Sequence, residues 1–197
     1  MHKDLAIIIL AAGEGTRMKS SLPKVLHPVC GRPMLRFVLD LVSALKAKQV
    51  IAVVGHKHAQ VRKFLPSGVK VAIQKRLLGT ADAVKSAMPY LRNFRGTTLV
   101  LYGDTPLLEK KTVRRLLAQH EDSLQDVTLL TAHMEKPDGY GRIMRDTYAG
   151  VCSIVEERDA DAVQKDIKEI NTGIMCFNNK SLMQSLVLVR PNNRKKE

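Results

Sequence analysis

An apolar run, Leu5 to Leu10, leads straight into Leu10-Ala11-Ala12-Gly13-Glu14-Gly15-Thr16-Arg17-Met18-Lys19-Ser20-Ser21-Leu22-Pro23-Lys24. A short, unbroken apolar run reads as a strand buried on both faces, the signature of a parallel sheet. Gly13 and Gly15 let the backbone turn sharply and come close to a ligand. Their N–H groups can converge on phosphate oxygens. Arg17 adds a planar donor fork and Lys24 a mobile point charge. Together these predict a polyphosphate site. The dinucleotide fingerprint fails because Met18 stands where its third glycine belongs, and the P-loop fails because Gly-Lys-Ser/Thr is missing. The plain alternative is an ordinary glycine-rich strand-to-helix turn.

Length sets one bound, since 197 residues suffice for one domain with a real core. No apolar run is long enough to cross a bilayer, and Asp4 precedes a run too short for a signal peptide, so the reading is cytoplasmic, with no membrane partner. Cys30, Cys152 and Cys176 lie far apart without metal-ligand spacing, which predicts reduced structural thiols. His2, His27, His56, His58, His120 and His133 show no metal spacing and no serine partner. The formal charge of +13 raises the question of nucleic acid. The basic residues are scattered or gathered in Arg190 to Lys196, Trp is absent, and the few aromatics offer no stacking platform. The expectation is no nucleic-acid partner and a solvated basic surface.

Strand and helix signals then alternate. Pro33 opens a helix carrying Met34, Leu35, Val38, Leu39, Val42 and Leu45. Val50 to Val54 is a strand, His58 to Leu65 a basic helix, and Val69 to Gln74 a strand. Thr80 is the expected N-cap of a helix over Ala81 to Leu91. Thr97 to Tyr102 is a strand, Lys111 to His120 a helix, and Val127 to Ala132 a strand. Beyond a turn at Gly139-Tyr140-Gly141-Arg142, the segments Arg142 to Arg145 and Val151 to Glu156 predict a hairpin-like pair. Asp159 to Gln164 reads as loop or short helix, Ile167 to Phe177 as a strand, and Lys180 to Val189 as a helix. The fold class is α/β: a Rossmann-like, mostly parallel sheet with helices on both faces.

In such sheets ligands sit beyond the carboxyl ends of the strands, where the strand order reverses. The first strand ends in the glycine loop and the fourth at Gly103-Asp104. In the usual order these strands are neighbours, which brings Asp104 to the phosphates. A carboxylate beside phosphates calls for a hard cation between them, and Mg²⁺ binds in this way. Gly-Asp-Thr-Pro is also good turn chemistry, so a turn role for Asp104 stays open.

Several segments now align in order: Leu10 to Lys24, Gln74 with Leu78-Gly79-Thr80, Leu101 to Leu107, Gly139-Tyr140-Gly141-Arg142, Ile154-Val155-Glu156, and Glu169-Ile170-Asn171-Thr172-Gly173-Ile174. Together they resemble the uridyltransferase domain of bacterial bifunctional enzymes that join N-acetylglucosamine-1-phosphate uridyltransferase to glucosamine-1-phosphate acetyltransferase. The resemblance runs from Leu5 to about Val189. It implies a nucleotide-diphospho-sugar transferase fold. It also implies transfer of uridylyl from UTP to N-acetylglucosamine-1-phosphate, giving UDP-N-acetylglucosamine and pyrophosphate for cell-wall precursors.

Carried over by position, Leu10, Ala11, Ala12, Gly13, Gln74, Gly79 and Thr80 would hold the nucleoside. Arg17 and Lys24 would bind the triphosphate, and Asp104 would be the Mg²⁺ ligand. Tyr102 and Gly103 would border the nucleotide, while Gly141, Glu156 and Asn171 would take the amino sugar. Taken singly, Gln74, Glu156 and Asn171 also read as ordinary polar positions. A second metal ligand of the family, an asparagine, falls beyond residue 197, as does the β-helix domain through which the family forms homotrimers. The expectation is therefore a C-terminally incomplete uridyltransferase domain over residues 1–197, weakly active or inactive, without its acetyltransferase partner. Another sugar-1-phosphate nucleotidyltransferase, or a non-catalytic subunit of this fold, is the alternative.

Overall fold

The computed structural model describes residues 4–190 except 56 and 77, and the side chain of Arg17 is not described. The expectations for His2, His56, the guanidinium of Arg17 and the basic tail beyond Arg190 therefore lie outside the described residues.

Strand β1 (Leu5–Ala11) is buried along its whole length. Its alternation explains why: Leu5, Ile7, Ile9 and Ala11 belong to one core, and Ala6, Ile8 and Leu10 to the other. A strand with apolar side chains on both sides must be covered on both faces. After it come two short bridging strands, β2 (Pro28–Val29) and β3 (Arg32–Pro33), then α1 (Met34–Leu45), β4 (Gln49–Val54) and α2 (His58–Arg62). Pro33 is the residue before α1, with ψ 138, so it caps that helix and the helix begins at Met34. The series continues with β5 (Lys70–Ile73), α3 (Thr80–Leu91), β6 (Thr97–Tyr102), α4 (Lys110–Ser123) and β7 (Val127–His133). The chain then forms β8 (Arg142–Arg145), β9 (Val151–Val155), α5 (Ala162–Lys165), β10 (Glu169–Asn178) and α6 (Asn179–Leu186).

The sheet runs β5-β4-β1-β6-β10-β8-β9, with β7 also pairing β10. Strands β5, β4, β1 and β6 are parallel, and β1 lies directly beside β6, with Leu10 opposite Tyr102. Residues of α1 and α4 fill one core and residues of α3 and α6 the other. The α/β fold read from the sequence is therefore the fold observed.

One strand departs from simple alternation. Antiparallel β10 inserts between β6 and β7, pairing Met175 with Val100 on one side and with Leu129 on the other. Its register shifts between Asn171 and Met175, and past that bulge Ile170 pairs with Arg142 of β8. The extra residues bend the strand away from β6. The β8–β9 hairpin consequently hangs beyond the carboxyl end of β6, as an antiparallel annex to the parallel sheet.

Two polar groups lock this arrangement. Asn179 is buried. Its amide donates to the Leu91 and Phe94 carbonyls, and its oxygen accepts from Thr98, so one side chain ties α6 to α3 and β6. Glu169 receives Nε and Nη2 of Arg145 at 2.8 and 2.7 Å, fastening β8 to β10. The Arg145 fork holds the Glu169 carboxyl down from 4.5 to about 2, despite the opposing effect of burial. A carboxyl depressed in the folded state stabilises it fully above the unfolded value and loses that contribution as pH falls toward the folded one. Glu169→Gln is therefore expected to cost about 2 kcal/mol at neutral pH, screening by solvent at Arg145 included. It should also flatten the acid loss of stability between pH 4.5 and about 2. Urea denaturation at stepped pH would measure this, and parallel stability curves for the variant and the unaltered chain would refute it.

Candidate functional site

The carboxyl ends of β1, β5 and β6 open into a cleft of about 540 Å³. Leu10, Ala11, Ala12, Gly13, Lys24, Gln74, Gly79, Thr80, Tyr102 and Asp104 line it, ten positions chosen from sequence. Gly15, Thr16, Met18, Val25 and Ala83 complete the wall. Arg17 lies in a 3₁₀ turn, Thr16–Met18, at the rim. A Cβ added to Gly13 would meet no protein atom within 4 Å, so its missing side chain leaves open space. Gly15 is different: its φ is +63°, and a Cβ there would sit 2.6 Å from Lys24 Cβ. Only glycine lets the Lys24 stem pack against the loop and enter the cleft.

Lys24 Nζ lies 2.5 Å from Asp104 Oδ2, both partly exposed. The predicted juxtaposition of glycine loop, ammonium and carboxylate is present. Asp104 is the one carboxylate among the described residues lining this cleft. No group of three or more potential metal-binding side chains occurs among the described residues. A divalent cation here would thus draw on one carboxylate and complete its shell with ligand oxygens and water, which suits Mg²⁺ better than a softer metal.

Gln74 follows β5 and is buried, its N–H bonded to the Val54 carbonyl at 2.8 Å. Its side-chain amide donates to the Gly79 carbonyl and to Asp82 Oδ2, so its donors are engaged. Of the two hydrogen-bonding groups of the Gln74 amide, the fold thus leaves the carbonyl acceptor. Thr80 is not the helix cap expected. Gly79, with φ 90° and ψ −176°, precedes α3, and Thr80 is its first residue. The freed Thr80 hydroxyl lies 3.5 Å from Tyr102 Oη. Gly103 lines neither cleft. Its N–H bonds to the Leu10 carbonyl at 2.9 Å, and a Cβ would press on Val25, Ala11 and Leu10, so it serves the close approach of β6 to β1.

A second cleft, of about 420 Å³, shares Thr80 and Tyr102 with the first. Gly141, Glu156 and Asn171 line it, as the resemblance implied, joined by Arg158, Asp159 and Gly173 among others. Tyr102 is the partition. Burial pushes its phenol above the usual value, and the Asp104 and Glu156 carboxylates add to that against the Thr80 hydroxyl, so it stays neutral. Asn171 Oδ1 accepts from the Gly173 N–H at 2.8 Å and shapes the β10 bulge. Sequence reasoning missed Gly173, and the available signal was an isolated glycine in a strand pattern.

Among the described residues no rival nucleophile emerges. Cys30 and Cys152 are exposed free thiols, and burial pushes the Cys176 thiol up to about 12. No described helix is long and apolar enough to cross a membrane.

The chain is similar to the bifunctional protein GlmU of Alkaliphilus metalliredigens, 48% identical over 193 residues, covering 98% of this chain and 42% of that protein. It is 50% identical over 190 residues to GlmU of Bacillus cytotoxicus, covering 96% of this chain and 41% of that one. The chain thus spans well under half the length of these curated relatives. Its fold is shared with UDP-glucose pyrophosphorylase complexed with UDP-glucose, at TM-score 0.79, 13% identity, and 98% and 82% of the two chains. It is shared also with a putative glucose-1-phosphate thymidylyltransferase from Bacillus anthracis in complex with a sucrose, at TM-score 0.75, 21% identity, and 90% and 73% coverage. The sequence profile of the MobA-like NTP transferase domain matches residues 7–168, and this chain, with its glycine loop at the end of β1, belongs to that family.

Proposed function

We propose that the chain is the uridyltransferase part of a GlmU-type protein, transferring uridylyl from UTP to N-acetylglucosamine-1-phosphate and releasing pyrophosphate. The observation that carries this reading is the pair of clefts meeting at Tyr102 and Thr80. One has a glycine loop, an ammonium and a carboxylate, which suit a nucleoside triphosphate. The other is polar and carries Glu156 and Asn171, which suit sugar hydroxyls and an acetamido group. Donor and acceptor would then lie side by side, as in-line displacement at the α-phosphorus requires.

The Leu10 to Gly13 backbone and Gln74 would hold the base. Because the Gln74 amide hydrogens are engaged, its carbonyl would accept the N3–H of uracil, a donor that cytosine lacks. Lys24 and Arg17 would neutralise the triphosphate. The attacking sugar phosphate is already an anion, so no general base is needed. When bound at Asp104, Mg²⁺ would offset phosphate charge. Placement in the cytoplasm, and trimer formation by a longer protein, belong to the same proposal.

Calorimetric titration of the chain tests this, using UTP, CTP, UDP-N-acetylglucosamine and N-acetylglucosamine-1-phosphate with and without Mg²⁺. Uridine ligands are expected to bind at least about tenfold more tightly than CTP, a difference of about 1.4 kcal/mol. Failure to bind UTP and UDP-N-acetylglucosamine, or equal binding of CTP, would overturn the assignment.

A further inference from the structure

Arg142 opens β8 opposite Val155, the last residue of β9, and its side chain is almost wholly buried, 1% exposed. Its Nη1 donates to the Tyr140 carbonyl and its Nη2 to the Lys165 carbonyl at 3.4 Å. Nη2 also pairs with Glu157 Oε2 at 2.8 Å. That same carboxylate oxygen accepts the Gly139 N–H at 3.2 Å. The Asn171 N–H donates to the Gly141 carbonyl at 2.8 Å. Each residue of the Gly139-Tyr140-Gly141 turn is therefore held by at least one bond from outside the turn or from Arg142, Tyr140 donating its N–H to the Pro137 carbonyl as well. The charge is not there to satisfy itself, because Arg142 Nε is buried without a hydrogen-bond partner. Only the arginine of this pair is buried, Glu157 being 27% exposed, and an ion pair that takes a charge out of water is weak support for stability, since apolar groups of similar volume often do as well. Fixing a geometry is the use that remains.

The geometry it fixes borders the second cleft. Glu156 faces that cleft while its neighbour Glu157 turns to Arg142. A Cβ on Gly141 would lie 3.1 Å from Ile154 Cγ2 and 3.2 Å from Glu156 Oε1. The turn and the Glu156 carboxylate thus lie so close that no side chain fits at Gly141 without a shift, and a displaced turn would alter the space beside Glu156. We propose that Arg142 and Glu157 are positioning residues that hold the Gly139–Gly141 turn against Glu156 and so set the shape of the acceptor-sugar cleft. This rests on the functional reading above.

The test uses the whole chain with Glu157→Gln and Arg142→Met, the former retaining a carbonyl acceptor for the Gly139 N–H. Affinity for N-acetylglucosamine-1-phosphate is expected to fall at least about tenfold while UTP affinity changes less than about threefold. Amide hydrogen exchange at Gly139 and Asn171 should quicken in the variants, with Ala12 to Thr16 unaffected. Parallel loss of both ligands in a folded variant, or unaltered sugar-phosphate affinity, overturns the proposal. Unaltered exchange at Gly139 and Asn171 overturns it whatever ligand the cleft takes. If Arg142→Met does not fold, Glu157→Gln decides. Should the unaltered chain bind no sugar phosphate, the functional reading fails, and the exchange data still judge the clamp.

Discussion

Lys24→Ala, made in a protein that carries the complete domain, is expected to slow the proposed uridylyl transfer by about 10²–10³, the usual effect of removing a charge-stabilising donor from an active site. The ammonium already stands 2.5 Å from Asp104 in the ligand-free chain. Each group is thus the other's placeholder. Were a triphosphate to bind as proposed, the ammonium could turn from carboxylate to phosphate, and the carboxylate would become available to a cation. Deleting Lys24 removes positive charge where negative charge builds up on the transferring group. It also releases Asp104. The variant should therefore bind Mn²⁺ more tightly than the unaltered chain in the absence of nucleotide, even as its chemistry slows. Asp104→Asn should invert the binding signature: UTP alone binds more tightly, and divalent metal no longer strengthens it. Single-turnover pyrophosphate release gives the rate, and water-proton relaxation gives Mn²⁺ binding. A Lys24→Ala rate within about threefold of the unaltered chain would exclude this role for the ammonium.

Gly173→Ala is the second large effect. Gly173 sits in the β10 bulge at φ +74°, and an added Cβ would lie 2.4 Å from Tyr102 Cε2 and 2.6 Å from its hydroxyl. The left-handed backbone and the overlap together should cost about 3–5 kcal/mol if nothing moves. A ring displaced by that Cβ would move away from its place 3.5 Å from the Thr80 hydroxyl, and with it the wall common to both clefts. Strain relieved in that way becomes lost binding. The variant is expected to melt lower and to lose affinity for UTP and for the sugar phosphate together. That pattern separates it from the Arg142 and Glu157 variants, which should spare UTP. A Gly173→Ala chain with unchanged melting temperature and unchanged affinities would show that the bulge tolerates a side chain and that Tyr102 does not divide the clefts as described.

The phosphate end of the first cleft was legible because its parts follow from local chemistry, whereas Gln74, Gly79, Thr80 and Tyr102 came only through the resemblance. An apolar run, a glycine turn, a nearby lysine and an aspartate ending the fourth strand need only the rule that β1 and β6 are neighbours. The second cleft was legible only through resemblance. Gly141, Glu156 and Asn171 come from three different segments, and nothing in their spacing says that β10 reverses direction and bends beside Tyr102. Thr80 shows the limit of local rules even in the first cleft. A threonine before a helix reads as a cap, yet the cap geometry falls on Gly79 and leaves the hydroxyl for Tyr102.

By itself, the sequence determined the parallel half of the sheet, both apolar faces of β1, and the glycine loop with its cation, because side-chain periodicity and backbone freedom are local properties. Tertiary structure alone decided what spans the chain: β10 set between β6 and β7, Gly173 closed against Tyr102, and the pairing of buried Arg142 with partly exposed Glu157. Those depend on which distant segments share space, and the forces that select them, burial of charge and close packing, act only once the chain has folded.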